Sequence, residues 1–146
     1  MKILNLSTAL ITIVALLSFT QKDADTKITV TVTGFKNSKG NCIANLYDKS
    51  EGFPNSSKLA YKSTAVKIVN NSAQIVFDNL KPGTYAVSVL HDSNSDGVLN
   101  KNILGIPKEG YGASNNILPS LSSPKFEDSK FEISSQDKPL SIKVKY

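Results

Sequence analysis

The stretch HDSNSDGVLNKN, His91 to Asn102, gathers the side-chain oxygens of Asp92, Asn94, Asp96, Asn100 and Asn102 around a single glycine, Gly97. Counted from Asp92, the oxygens of Asn94, Asp96 and Asn100 fall at positions 3, 5 and 9 of a calcium-loop pattern, with Gly97 at 6 and the carbonyl of Val98 at 7. A hard divalent cation takes six to eight oxygens at about 2.3–2.6 Å, and alternate residues of a tight turn can aim their side chains at one point. Position 12, where a bidentate Glu belongs, is Ile103, and no helices flank the loop, so this is not an EF-hand. Glu109, beyond Pro107, could fold back to supply the missing carboxylate. Without an ion, the same residues would make side-chain turns onto their own backbone.

Other chemistries fit less well. His91 is the only histidine and Cys42 the only cysteine, too few soft ligands for a zinc site. His91, Asp92 and Glu109 could serve an enzyme as acid–base groups, but no nucleophile motif accompanies them. Lys108 to Asn116, KEGYGASNN, offers Tyr111, Ser114 and Asn115 as a loop face with His91, yet no aromatic platform for a sugar. Its glycines do not lead from a strand into a helix, which excludes a phosphate cradle.

The elements that must carry this loop alternate with period two. Residues 27–35, 41–47, 64–69, 73–77, 84–90 and 138–146 read as strands, and Lys125 to Ser134 as a further alternating stretch. The turn Asn37 to Gly40 predicts a local hairpin between the first two strands, and Asn70–Asn71 a second between the next two. Pro54 argues against a strand in Asp48 to Lys58. Cys42 is expected as a small buried hydrophobe. About seven short strands without a capped helix imply an all-β, antiparallel two-sheet sandwich, prealbumin-like or immunoglobulin-like. Residues 91–123 are one long loop, longer than the roughly 12–15 residues beyond which loops usually serve a function.

The run FDNLKPGTYAVSVLHDSNSDG resembles the strand, Pro-Gly turn and strand of prealbumin-like sandwich modules. His91 to Asn116 is similar to the signature of domain-of-unknown-function family 2141, small exported bacterial proteins, through His91, Asp92, Asn94, Gly97, Gly105, Pro107, Glu109, Gly112, Ser114 and Asn115. The resemblance implies an exported compartment and a β-sandwich, and it carries no activity. Asn100 stands where the family pattern often has Asp, which removes one negative charge from a cation site.

The amino terminus agrees with export: Lys2 precedes an apolar run from Ile3 to about Phe19, followed by small residues. Residues 1–20 are therefore expected as a signal peptide and 21–146 as one domain, periplasmic or secreted, with no membrane span once the signal is removed. The net charge of +5 comes entirely from scattered Lys, 17 of them, without a single Arg. Nucleic-acid readers cluster their cations and use Arg for bidentate contacts, so nucleic acid is excluded as a partner. The expected function is a non-enzymatic binding or structural module, with an envelope protein or ligand as partner and a low-affinity Ca²⁺ loop at 92–100; the alternative is an envelope enzyme using His91, Asp92 and Glu109. Mass spectrometry of the protein exported by its native host should find about 20 residues missing from the amino terminus. Retention of Met1 in that form would overturn the signal assignment.

Overall fold

Each alternating segment presents one row of Val, Ile or Leu, and two such sheets bury their rows by stacking face to face. The computed structural model describes residues 26–120 and 122–146. The expected signal, residues 1–20, lies outside them. The strands are β1 (Thr26–Thr33), β2 (Asn41–Tyr47), β3 (Lys62–Lys67), β4 (Ala73–Leu80), β5 (Gly83–Asp92), β6 (Tyr111–Ala113), β7 (Phe131–Ile133) and β8 (Lys138–Lys143). One sheet has the order β4-β1-β8; the other runs β3-β2-β5-β6, with β7 paired to the start of β5. Ile28, Val30, Val32, Ile75 and Ile142 of the first sheet are buried in one core with Cys42, Ala44, Leu46, Val87 and Val89 of the second. Burial pushes the Cys42 thiol up to about 12. It is a small core hydrophobe.

The expected local hairpins are not formed. β1 and β2 lie in different sheets, as do β3 and β4. Alternation specifies which face of a strand is buried, and placing consecutive strands in opposite sheets buries both apolar faces in one core. The Asn70–Asn71 turn itself is as expected, with φ of 50° and 56° and Val69 and Ser72 exchanging backbone hydrogen bonds of 2.8 and 3.0 Å. It acts as a corner between sheets. A second correction concerns direction, because β8 pairs with β1 in parallel, Val30 opposite Leu140 and Val32 opposite Ile142. The other strand pairs are antiparallel.

Two further segments depart from simple alternation. The stretch 125–134 breaks into a helical turn, α1 (Phe126–Ser129), and the short β7. That turn lets Phe126 meet Phe53 edge-on at 5.9 Å, while Phe53 meets Tyr47 at 5.2 Å. These rings cover the part of the larger sheet's outer face around Tyr47. Consequently β5 is buried on both faces from Tyr85 to Val89, with the Ser88 hydroxyl donating to the Pro54 carbonyl at 2.8 Å. The final strand also stops early, at Lys143. Val144 then donates to Thr33 at 2.8 Å, and Lys145 exchanges two 2.9 Å hydrogen bonds with Tyr111, so the chain crosses from one sheet to the other and closes the sandwich beside the long loop.

Among the described residues no helix is long and apolar enough to cross a membrane. The position of Ile142, fully buried between the sheets, sets a test. Ile142→Ala should lower the unfolding free energy by about 2–5 kcal/mol in urea titration. Val76→Ala, on the outer face of β4 and half exposed, should cost no more than about 1 kcal/mol. Equal losses at the two positions would contradict this core.

Candidate functional site

β5 delivers His91 and Asp92 to the rim of the sandwich with opposite orientations, because neighbouring side chains on a strand point to opposite faces. His91 turns inward and is 2% exposed. Its Nε2 lies 2.9 Å from the Lys39 carbonyl, which can only accept, so Nε2 carries the hydrogen. Nδ1 lies 2.6 Å from the Tyr146 hydroxyl, which also accepts the Lys36 N–H at 3.0 Å. Both ring nitrogens are thereby engaged. Phe35 packs edge-on against it at 5.2 Å.

Asp92 points the other way and closes the turn. Its Oδ1 accepts the Asp96 N–H at 3.1 Å and its Oδ2 the Gly97 N–H at 3.0 Å. Gly97 has φ of 80°, a conformation open to glycine at little cost. Glu109 reaches back from the far end of the excursion: Oε1 accepts both the N–H and the hydroxyl of Ser93 at 3.0 Å, and Oε2 accepts the Asn100 N–H at 3.1 Å. Asp92 and Glu109 are both buried, at 2% and 5% exposure. Asp96 is exposed between them. The Asn100 amide, the Val98 N–H and the Asn94 amide all donate to its carboxylate and hold it below the usual Asp range.

The fold-back of Glu109 therefore brings three carboxylates together, with one oxygen from each of Asp92, Asp96 and Glu109 within 4.8 Å of the others. None of the lysine–carboxylate ion pairs among the described residues involves them. Asn94 and Asn100 join the cluster through amide nitrogens, Asn94 also donating to Asn100 Oδ1 at 2.8 Å. Val98 meets it through its N–H. Asn102 stands apart, its Oδ1 accepting the N–H groups of Leu104 and Ile106 at 2.9 and 3.0 Å in the next turn.

A family model described as "Uncharacterized protein conserved in bacteria (DUF2141)" matches residues 30–141. The chain belongs to this family. No curated protein and no solved structure matches it.

The DUF2141 match spans the whole loop and most of both sheets, and within it the expected loop-face residues separate. Tyr111 is half-buried at the start of β6. Ser114 is fully buried, accepting the Val87 N–H at 3.0 Å and donating to the Ser129 carbonyl at 2.5 Å. Asn115, with φ of 66°, donates to the carbonyls of Asp128 and Lys130 at 3.1 Å. Ser114 and Asn115 thus tie the loop's return to α1, and neither joins the acidic cluster.

Sequence reasoning missed Ser93, Lys39 and Tyr146. Nothing in the spacing marks Ser93 as the partner of Glu109, and Tyr146 reaches His91 only because the chain switches sheets after β8. In the sequence Gly40 is marked only as the end of a turn. A Cβ there would lie 2.0 Å from the Asp92 carbonyl oxygen, so the turn before β2 presses directly on the cluster's backbone.

Glu109→Gln replaces one buried acceptor oxygen with a donor that faces the Asn100 N–H or the Ser93 donors. Unfolding free energy should fall by about 1–3 kcal/mol, as for other buried groups deprived of their partner. Asp96→Ala, at an exposed position, should change metal-free stability little. Urea denaturation of both variants in chelator checks the contrast, and an unchanged Glu109→Gln midpoint would mean that the carboxylate does not brace the loop.

Proposed function

We propose that this DUF2141 protein is an exported, non-enzymatic binding module whose loop is braced by Ca²⁺ at low affinity. The convergence of Asp92, Asp96 and Glu109 carries the reading. Two oxygens that share one Ca²⁺ lie at most about 5 Å apart, twice the metal–oxygen distance, and the three carboxylates meet that limit. Like charges this close repel, and a cation held between them would offset that repulsion.

Each oxygen of Asp92 accepts a single N–H, which leaves it acceptor capacity toward a metal. Half a turn of the Asn94 and Asn100 amides would present oxygen in place of nitrogen toward the same centre. The Val98 carbonyl is the remaining candidate from the loop pattern. Asn100 in place of an acid keeps the site's charge low and its affinity in the range of extracellular modules, a Kd of about 10⁻⁴–10⁻³ M. The amino-terminal apolar segment supports export to a compartment where such a site fills. An envelope ligand or protein is the expected partner.

Catalysis by His91, Asp92 and Glu109 has less support. Both nitrogens of His91 are engaged inside the sandwich, and His91 and Asp92 project to opposite faces of β5.

Calcium at about ten times its Kd adds roughly 1.4 kcal/mol to a native state that alone binds it. The melting midpoint should rise by about 3–8 °C for a domain of this size. Mg²⁺ should do less, because it gives up its waters reluctantly and prefers a strict octahedron. Asp96→Ala should abolish most of the calcium effect. Superimposable melting curves in chelator and in about 10 mM Ca²⁺, ample for a site of that class, would leave the loop as a hydrogen-bonded polar turn.

A further inference from the structure

Beyond the acidic cluster, the loop builds a second feature on the outer face of the larger sheet. Residues 100–108 fold into a small hairpin arm: Asn102 donates to the Ile106 carbonyl at 2.9 Å, Lys108 to the Asn100 carbonyl at 2.8 Å, and Lys101 bridges Pro107. The arm stands beside the sheet across a cleft of about 640 Å³. That volume lies within the roughly 300–1,000 Å³ typical of small-molecule sites.

The chemistry of the cleft is uneven in an informative way. Its floor carries an apolar row, because Ile43 is paired with Leu90 and Leu90 with Tyr111 across three neighbouring strands. The adjacent row, Asn45 and Ser88, is polar and already tied, Asn45 to Ser63 at 2.6 Å and Ser88 to Pro54. On the arm side Val98, Leu104 and Ile106 line the cleft with 57%, 77% and 56% of their surfaces open to solvent. A monomeric protein seldom leaves such a group of branched apolar side chains together at its surface without a use. Lys101 is the one charged residue among those described in the lining, and it makes no ion pair with another described residue.

We propose that this cleft binds an anionic amphiphile with a single acyl chain, the chain lying between the Ile43–Leu90–Tyr111 row and the arm, and the carboxylate meeting Lys101. The cleft is mixed, since Asn55, Ser57, Ser120, Ser122 and Ser123 also line it. Its apolar row and arm suit an acyl chain, and Lys101, which pairs with no described carboxylate, suits an anionic head. Asp92, Asp96 and Glu109 do not line the cleft. The assignment rests on the binding-module reading and is independent of its calcium part.

The test is isothermal titration of the purified protein with dodecanoate, in chelator so that the calcium question does not enter. A single saturable site is expected, with the uncharged methyl dodecanoate binding about tenfold more weakly. Lys101→Gln should weaken dodecanoate about tenfold and leave the methyl ester unchanged, whereas the double substitution Leu104→Ser and Ile106→Ser should weaken both. These side chains are exposed, and an unchanged melting midpoint verifies that each variant is folded. Absence of saturable binding, or equal discrimination between acid and ester in Lys101→Gln and the parent, would overturn the proposal. So would sedimentation with phosphatidylglycerol vesicles in the absence of dodecanoate binding, which would make the exposed arm a membrane contact instead.

Discussion

Two buried carboxylates hold the most elaborate part of this molecule in place. Asp92, at the last position of β5, gathers the first turn of the loop through the N–H groups of Asp96 and Gly97. Glu109, shortly before β6, ties Ser93 and Asn100 to the point where the chain returns. A loop of this length would otherwise expose many unsatisfied backbone groups and lose considerable entropy on ordering. The carboxylates satisfy donors that lie far apart in sequence, and so make one rigid base from which the arm at 100–108 projects. Without them the acidic cluster would not converge, and the cleft would lose one wall.

The sandwich supports that base from beneath. β5 is buried on both faces from Tyr85 to Val89, and its last two residues, His91 and Asp92, are buried as well, so its end is held from both sides. His91 locks the inner side by joining the turn before β2, through Lys39, to the end of β8's continuation, through Tyr146. Three separate segments meet at one imidazole. Gly40 allows the close approach this requires, and the crossing of residues 144–145 from one sheet to the other brings Tyr146 within reach. The histidine that first suggests catalysis is therefore part of the framework that aims Asp92 outward.

Much of this was legible in the sequence, and the parts that were not share a physical cause. Alternation in KITVTVT and GTYAVSV gives strands and buried faces directly, since one face must meet water and the other the core. It does not choose partners: β1 accepts β4 or β2 equally well on local grounds, and only the joint burial of all the rows selects the pairing across sheets. The parallel β1–β8 pair is hidden for the same reason. In the loop, the spacing of Asp92, Asn94 and Asp96 around Gly97 foretells a convergent turn, and Pro107 with Glu109 hints at the fold-back. The cleft has no such local mark, because Ile43 of β2, Leu90 of β5 and the loop residues Val98 and Ile106 meet only in three dimensions.

The central claim is that a preformed cluster of carboxylates accepts a divalent cation. Nuclear magnetic resonance of ¹⁵N-labelled protein tests it most directly, since the N–H groups of Ser93, Asp96, Gly97 and Asn100 all donate to those carboxylates. On addition of Ca²⁺ these four amide resonances should shift together along one saturable curve, with a midpoint of about 10⁻⁴–10⁻³ M, while those of Val30 and Ile142 in the core stay where they are. If the four remain unmoved in about 10 mM Ca²⁺, ample for a site of this kind, the cluster is a self-contained hydrogen-bonded turn and the account is contradicted.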